Sequence, residues 1–562
     1  SSWFVNIEAI KDDLIRNCEQ IEWKPKYTKK KFMNWVHNSR DWAIERNRYW
    51  GCPIPLLTNG KDFISYSSYQ EKEDLEGLGG YYQVSGVLDC WFDSACVLRE
   101  PVDFVCEGSD QFRCWFYYLN IISTVMFNKP AFKFGLVNGI MLNHEGEKMS
   151  KRLSNYTSIP ELLNTYGSDG VRFYMSLSPI VRGETMLFKD EEVRETIRGN
   201  FMQWINSWKF LKDQLVMFEM DNDYNELDIW IHSKLYNVQL NVRRYLSEYN
   251  IQRASRELSN FIELFCNRYL KYNREEFKKG NSLGMLYLII KNFSILMSPF
   301  APFLAETIYQ DLLDEEESEA TILYKYDNMT WLDFKQTEDI LSMDYLCQVI
   351  DSVNIIRNNL KITVKKPLKH CLITHLSLEV LEQIQQLEHI LIDNCNLLSV
   401  TYELNNKYIV KKIKPNMKII GRKYRKQAKE IKEQILVGNY KDEEDVIITF
   451  DVKNIENYES NSTNDFIIYC CSIQDEETNN MYLANMFAVG IQKMRKEAGL
   501  KPFNPIKIYY HCSKELTDIF KKYYNIIYNR IKYDVINNGN FSHEDLITYN
   551  KVNDVDVWII KN

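Results

Sequence analysis

The sequence predicts an α/β segment, then an α-helical segment, then α+β modules. Three observations carry that reading. Residues 1 to about 190 hold most of the glycines, prolines and tryptophans and mix short strand-like runs with turns. From about 191 to 345, Leu227, Trp230, Ile231, Leu235, Val238 and Val242 recur mostly at three- and four-residue spacing. Leu258, Phe261, Ile262, Phe265 and Leu270 follow in the same way, which is the apolar stripe of an antiparallel helical bundle. Beyond 345 the chain becomes rich in Lys, Asn and Ile, and a helix, loop, proline and strand order occurs twice.

In the first segment the apolar run Phe134 to Leu142, punctuated by Gly135 and Gly139, has the length of one buried strand. A turn at Asn143-His144-Glu145-Gly146 leads to Lys148-Met149-Ser150-Lys151-Arg152. Two ammonium groups and a hydroxyl on a short loop at the edge of a sheet suit the charge that builds on a triphosphate under attack. The same five residues also fit a solvated basic turn.

In the helical segment, a helix through Leu286, Ile289, Ile290, Phe293 and Leu296 ends at Ser298-Pro299, and Pro302 opens the next, Phe303 to Leu313. Asp314-Glu315-Glu316-Glu317 reads as an exposed connection. Further on, Val349, Val353, Ile356 and Arg357 lead through Leu360 and Lys366-Pro367 to a strand-like Leu368-Lys369-His370-Cys371-Leu372. Phe487, Ile491, Met494 and Arg495 lead through Leu500 and Lys501-Pro502 to Ile506-Lys507-Ile508-Tyr509-Tyr510. The recurrence suggests two related modules, although two copies are too few for periodicity alone to decide. The domain limits expected are therefore 1–190, 191–345, 346–450 and 451–562.

Between the two copies Lys418, Arg422, Lys423, Arg425 and Lys426 sit in a run of cations from Lys407 to Lys432 in which Glu430 and Glu433 are almost the only acids. Such a run is either a solvated helix face or a contact for RNA phosphates.

Composition bounds the rest. At 562 residues, 45% hydrophobic and 26% charged, the chain is globular with room for three or four domains, and no apolar run reaches the ~18 residues of a membrane span. A formal charge of -8 argues against indiscriminate nucleic-acid binding but leaves room for a local basic face. The 13 cysteines form no CxxC pair and the eight histidines no HExxH, so no zinc site is expected and the thiols suit a reducing cytosol. No targeting peptide is visible at Ser1-Ser2-Trp3-Phe4-Val5.

Several segments together resemble one family. They are Trp42 to Pro55, Asp89-Cys90-Trp91-Phe92-Asp93-Ser94, Glu107-Gly108-Ser109-Asp110-Gln111-Phe112-Arg113-Cys114-Trp115-Phe116, the lysine loop, and Tyr166-Gly167-Ser168-Asp169-Gly170-Val171-Arg172. Ser298 to Phe303 and Ile491 to Leu500 extend the match. In their order these are similar to the class I aminoacyl-tRNA synthetases, of the isoleucyl, eukaryotic cytosolic type. Valyl relatives differ at the Glu107 segment and leucyl relatives also at the Trp91 segment.

The resemblance implies the second half of a class I nucleotide-binding fold, then an anticodon-binding bundle, then the C-terminal modules. It implies activation of isoleucine by ATP, with Mg2+ sharing the triphosphate charge, and transfer to tRNA(Ile) in the cytoplasm. Lys148, Ser150 and Lys151 would serve catalysis, and Lys151 and Gly139 would contact ATP. Glu107, Gly108, Asp110 and Gln111 would hold the aminoacyl-adenylate, with Trp91 and Trp115 as walls of the side-chain slot. An RNA-binding module without its own chemistry, or a valyl- or leucyl-type relative, is the alternative, and the sequence identifies no partner in a multi-synthetase assembly.

Two departures matter. No His-x-Gly-His occurs, so the family's other ATP-binding motif and its editing insertion are expected upstream of Ser1. Ala95 and Cys114 stand where the family usually has glycine.

Overall fold

In the computed structural model the described residues are all except 1, 78, 151, 221–222, 314–338, 437–445, 501–503, 538–545, 553 and 562. The side chains of 339, 340, 410–413, 421, 426, 436 and 446–450 are likewise outside the description. Lys151, the acidic run from Asp314 and Lys501-Pro502 thus lie outside the described residues. The chain divides into two compact units, Ser1–Asp333 and Phe334–Asn562.

The first unit is built around three parallel strands, Val102–Gly108, Phe132–Asn138 and Glu22–Lys24, with Phe132–Asn138 in the middle. A parallel sheet needs both faces covered. Trp23 fills one side, its ring centroid 4.8 Å from Phe32, 5.2 Å from Phe116 and 5.6 Å from Phe132. The apolar run expected as one strand is two. The first ends at Asn138, and Met141–Leu142 belongs to another sheet, parallel to Met186–Leu187. The break has a physical cause. A Cβ on Gly139 would stand 1.8 Å from the Glu184 carbonyl oxygen, because the backbone of 183–184 crosses directly over it. The Gly139 N–H donates to the Ile180 carbonyl at 2.8 Å and the Met186 N–H to the Ile140 carbonyl at 3.1 Å.

The bundle follows the sequence pattern, with helices Glu226–Ser247, Ile251–Leu264, Leu283–Met297 and Pro302–Asp311. Its polar keystone is Asp228, fully buried, which accepts from the Tyr269 hydroxyl at 2.6 Å, the Ser282 hydroxyl at 2.7 Å and the Asn273 amide at 3.2 Å. Asn225 caps the helix reciprocally with Asp228. The Asp169 carboxylate accepts from the Leu304 N–H at 2.7 Å and the Arg172 guanidinium donates to the Pro299 carbonyl at 3.0 Å, fastening the Pro302 helix to helix Ile159–Leu177. That helix departs from helical geometry at Gly167, where φ is +72°.

In the second unit one topology occurs twice. Helix Asp339–Leu360, strand Cys371–His375, helices Leu378–Gln386 and Glu388–Cys395 and strand Val400–Leu404 are answered by helix Glu476–Glu497, strand Ile506–His511, helices Lys514–Lys522 and Tyr524–Ile531 and strand Val535–Asn537. In each copy the two strands pair in parallel and an antiparallel hairpin completes a four-stranded sheet. The order is Val400, Cys371, Ile467, Tyr458 in one and Val535, Ile506, Val555, Leu546 in the other, naming each strand by its first residue.

The arginines that lined up in sequence also line up in role. Arg357 and Arg495 are buried, and each donates to a carbonyl at the end of the second crossover helix, before a left-handed residue, Asn396 at φ 49° or Lys532 at φ 58°. Arg357 also donates to the carbonyls of Thr363 and Lys366.

These elements move two of the expected limits. Residues 345 and 346 lie inside the unbroken helix Asp339–Leu360, and 450 and 451 inside strand Val446–Val452. A helix that packs on the strands after it cannot be divided from them, so the modules run from Asp339 to Cys471 and from Glu476 to Lys561. Cys470 and Cys471 lie in a wholly buried strand, and every cysteine is a free thiol.

Truncating Arg357 to Ala removes a donor from four carbonyls, the buried one of Cys395 among them, and should cost on the order of 3 kcal/mol, read as a urea midpoint at constant slope. Burial pushes the His232 imidazole down to about 4 from an ordinary 6.5. Its folded value lies below the unfolded one, so stability is fully present above about pH 6.5 and drains away as pH falls toward 4. His232→Gln should flatten that part of the pH–stability curve.

Candidate catalytic site

Parallel strands deliver their C-terminal ends to one edge, the place where open α/β sheets bind ligands. Here Val137 is paired with Glu107 and Asn138 with Gly108, so the acidic segment and the stretch that leads to the lysine loop leave the sheet side by side. The Asn138 amide donates to the Cys106 sulfur at 3.1 Å, tying the two strand ends together.

After Gly108 the chain makes a single 3-10 turn, Ser109–Arg113. A Cβ on Gly108 would stand 2.6 Å from an Asp110 carboxylate oxygen, because that side chain folds back over the strand end. The other Asp110 oxygen accepts from the Gln111 amide at 2.9 Å. Two hydrogen-bonding groups are thereby presented together beside Glu107, which is half-buried.

Helix Trp115–Phe127 starts here and packs against helix Cys90–Ala95, which brings the two expected aromatic walls together. Trp91 stacks on Tyr118 with centroids 6.2 Å apart and planes 18° apart, one turn along from Trp115, whose indole N–H points to the Ser94 carbonyl at 3.5 Å. Trp42 lies on the other side of Tyr118 at 4.2 Å. Its indole donates to the buried Asp89 carboxylate at 3.0 Å, and Arg46 pairs with the same oxygen at 2.9 Å. Asp89 thus locks the aromatic slab. Ala95 lies within a helix and Cys114 has φ -122°, so neither position requires the left-handed backbone that glycine favours.

The lysine loop begins in a tight turn organised by Asn143, which is buried. Its side-chain oxygen accepts from the N–H groups of Glu145 at 3.1 Å and Glu147 at 2.7 Å, and its own N–H donates to the Glu147 carbonyl. Asn155 clasps the far side, accepting from the Ser150 N–H at 2.9 Å and donating to the Lys148 carbonyl at 3.3 Å. Met149 is tucked against the cluster of Leu162, Tyr174, Met186 and Phe188. The loop is therefore anchored at Met149 and presents Lys148, which is exposed, with Ser150 half-buried.

Gly139, expected to touch ATP, owes its identity to the crossing of Glu184. Sequence reasoning passed over Asn143, Asn155 and Asp89. The first two had a signal, an asparagine flanking each side of the loop in a turn-forming context. Asp89 had none beyond its place in a matching segment.

Among the described residues no group of three or more His, Cys, Asp or Glu stands together in a way that could hold a metal ion, and no helix is long and apolar enough to cross a membrane. The cations Lys418, Arg422, Lys423 and Arg425 are exposed in the second unit, and the side chain of Lys426 is outside the description.

The family described as tRNA synthetases class I (I, L, M and V) matches residues 1–187, which contain the whole of this strand-end site. Residues 1–187 are thus a class I tRNA synthetase domain by sequence. A second family, the anticodon-binding domain of tRNA ligase, matches residues 228–372. Among class I tRNA synthetases of known name, the chain is 30% identical to the cytoplasmic isoleucine--tRNA ligase of Arabidopsis thaliana, over 93% of this chain and 51% of that one. It is 28% identical to the cytoplasmic isoleucine--tRNA ligase of Mus musculus, over 94% and 50%. It is 33% identical to the probable cytoplasmic isoleucine--tRNA ligase of Enterocytozoon bieneusi (strain H348), over 83% and 53%. The chain spans about half the length of these class I relatives.

Gly139→Ala should destabilise the first unit by several kcal/mol, since the added methyl meets backbone and not a side chain that can turn aside. Thermal unfolding of the variant, beside Gly199→Ala, whose added methyl meets nothing within 4 Å and whose φ lies outside the left-handed region, measures it.

Proposed function

We propose that this chain carries part of the active site of an isoleucine--tRNA ligase acting in the cytoplasm. An isoleucine carboxylate oxygen attacks the α-phosphorus of ATP, the bond to the bridging oxygen breaks, and pyrophosphate leaves. A ribose hydroxyl at the end of tRNA(Ile) then attacks the carbonyl of the adenylate and AMP leaves. The observation that supports this reading is the pairing of Val137 with Glu107, which sets the acidic segment beside the strand that leads, through Met141–Leu142, to the cationic loop. The relatives' names supply the substrate.

The division of labour follows from the chemistry. Glu107, aided by Asp110 and Gln111, holds the isoleucine ammonium, fixing the carboxylate toward the α-phosphate. Trp91 and Trp115 line an apolar slot suited to a branched aliphatic side chain. Lys148 and Lys151 neutralise the charge that grows on the leaving pyrophosphate, with the Ser150 hydroxyl donating beside them. Cations on a loop that closes late act on the transition state more than on bound ATP, which is where binding energy raises turnover. Magnesium bound with ATP would share the triphosphate charge and would need few protein carboxylates to hold it.

ATP–pyrophosphate exchange by the complete protein tests the assignment. Lys151→Ala and Lys148→Ala should each lower the rate by ~10²-fold or more with little change in the KM for isoleucine. Glu107→Gln should instead raise that KM. Exchange at the unaltered rate in both lysine variants would remove the loop from the mechanism.

A further inference from the structure

We infer that the helix pair from Met417 to Leu436, carried on an insertion in the first module, grips RNA along its phosphates without reading bases. The inference rests on RNA being a ligand of this protein, as proposed above, and on none of the catalytic roles.

The duplication isolates the insertion. The second module passes from Asn537 to Leu546 through eight residues, whereas the first spends 53, 405–457, between Leu404 and Tyr458. The shared scaffold forms without this stretch, so its composition answers to something other than the fold. It contains an antiparallel hairpin, Ile409–Pro415 with Val446–Val452, and between those strands the helices Met417–Tyr424 and Ala428–Leu436. Tyr408, Ile409, Val452 and Ile455 pack on Leu372, Ile467 and Tyr469, so the hairpin is seated on the module's sheet. The helices close on a small core of their own, Ile420 and Ile435 with Tyr424, Ala428 and Ile431.

With its apolar side used internally, the helix pair turns cations outward. Lys418, Arg422, Lys423, Arg425, Lys429 and Lys432 are all exposed, against Glu430 and Glu433. Lys418 and Arg422 share a face of the first helix at four-residue spacing, and Lys429 and Lys432 share one of the second at three-residue spacing. Like charges so placed weaken a helix unless an anion relieves them. The insertion's other acids are segregated at Asp442 to Asp445, outside the described residues, and at Asp451.

A membrane surface fits less well, because an interfacial helix must offer an apolar face to lipid and here that face is consumed by the internal core. A polyphosphate backbone needs only cations at short, regular spacing on a rigid support.

The test measures binding of the chain to tRNA(Ile) and to an unrelated RNA hairpin of similar length, between about 50 and 200 mM salt. Replacing Lys418→Glu, Arg422→Glu and Lys429→Glu together should weaken both RNAs alike, by tenfold or more, and make the slope of log affinity against log salt shallower by about two to three. The same three positions changed to Gln should lie between. A far-ultraviolet spectrum unchanged in the Gln variant separates lost contact from lost fold. Unaltered affinity and slope overturn the inference, as does a loss confined to tRNA(Ile), or binding of phosphatidylserine vesicles in place of RNA. Pyrophosphate exchange, which needs no RNA, reports on the catalytic reading independently.

Discussion

The site depends on one strand pairing. Phe132–Asn138 lies parallel to Val102–Gly108 in a register that ends both strands together, and the Glu107 segment and the stretch that leads to the lysine loop are carried away from those two ends. A slip of one residue would turn Glu107 toward the opposite face, since strand side chains alternate. The register is held from several sides. Trp23 and its ring partners fill the flank, the Asn138 amide meets Cys106, and the backbone of Glu184 presses on Gly139 just past the strand end.

Much of this was legible in the residues. The bundle could be read from spacing alone because its helices are long and one face of each is apolar; Leu227, Trp230, Ile231 and Leu235 are all buried as the stripe requires. The grouping of Trp91, Trp115, Glu107, Asp110 and Gln111 was legible as matching segments, whereas the contacts that arrange them were not. Asp89 joins Trp42 and Arg46 from positions more than forty residues apart in sequence, and periodicity carries no information about such a meeting. The run from Phe134 to Leu142 misled for a related reason. Hydrophobicity continues across Gly139, but pairing does not, because a remote segment crosses there.

The module limits show the same asymmetry. Composition changes near residue 345, but a helix can lie across such a change when it packs on the strands C-terminal to it. Arg357 is the clearest case. In sequence it is one cation at the end of a helix, and in the fold it is the donor on which the turn after that helix and the end of the second crossover helix converge. Its counterpart Arg495 keeps the bond to the end of the second crossover helix and has a cation–π contact with Tyr533 at 4.8 Å.

The clasp between Asp169, Arg172 and the Pro302 helix lies on the bundle side of the Gly167 kink, while the stretch after the lysine loop enters the same helix from the other side. The half-helix clasped to the bundle and the half-helix that follows the lysine loop are thus joined at the one residue of that helix whose backbone is not helical.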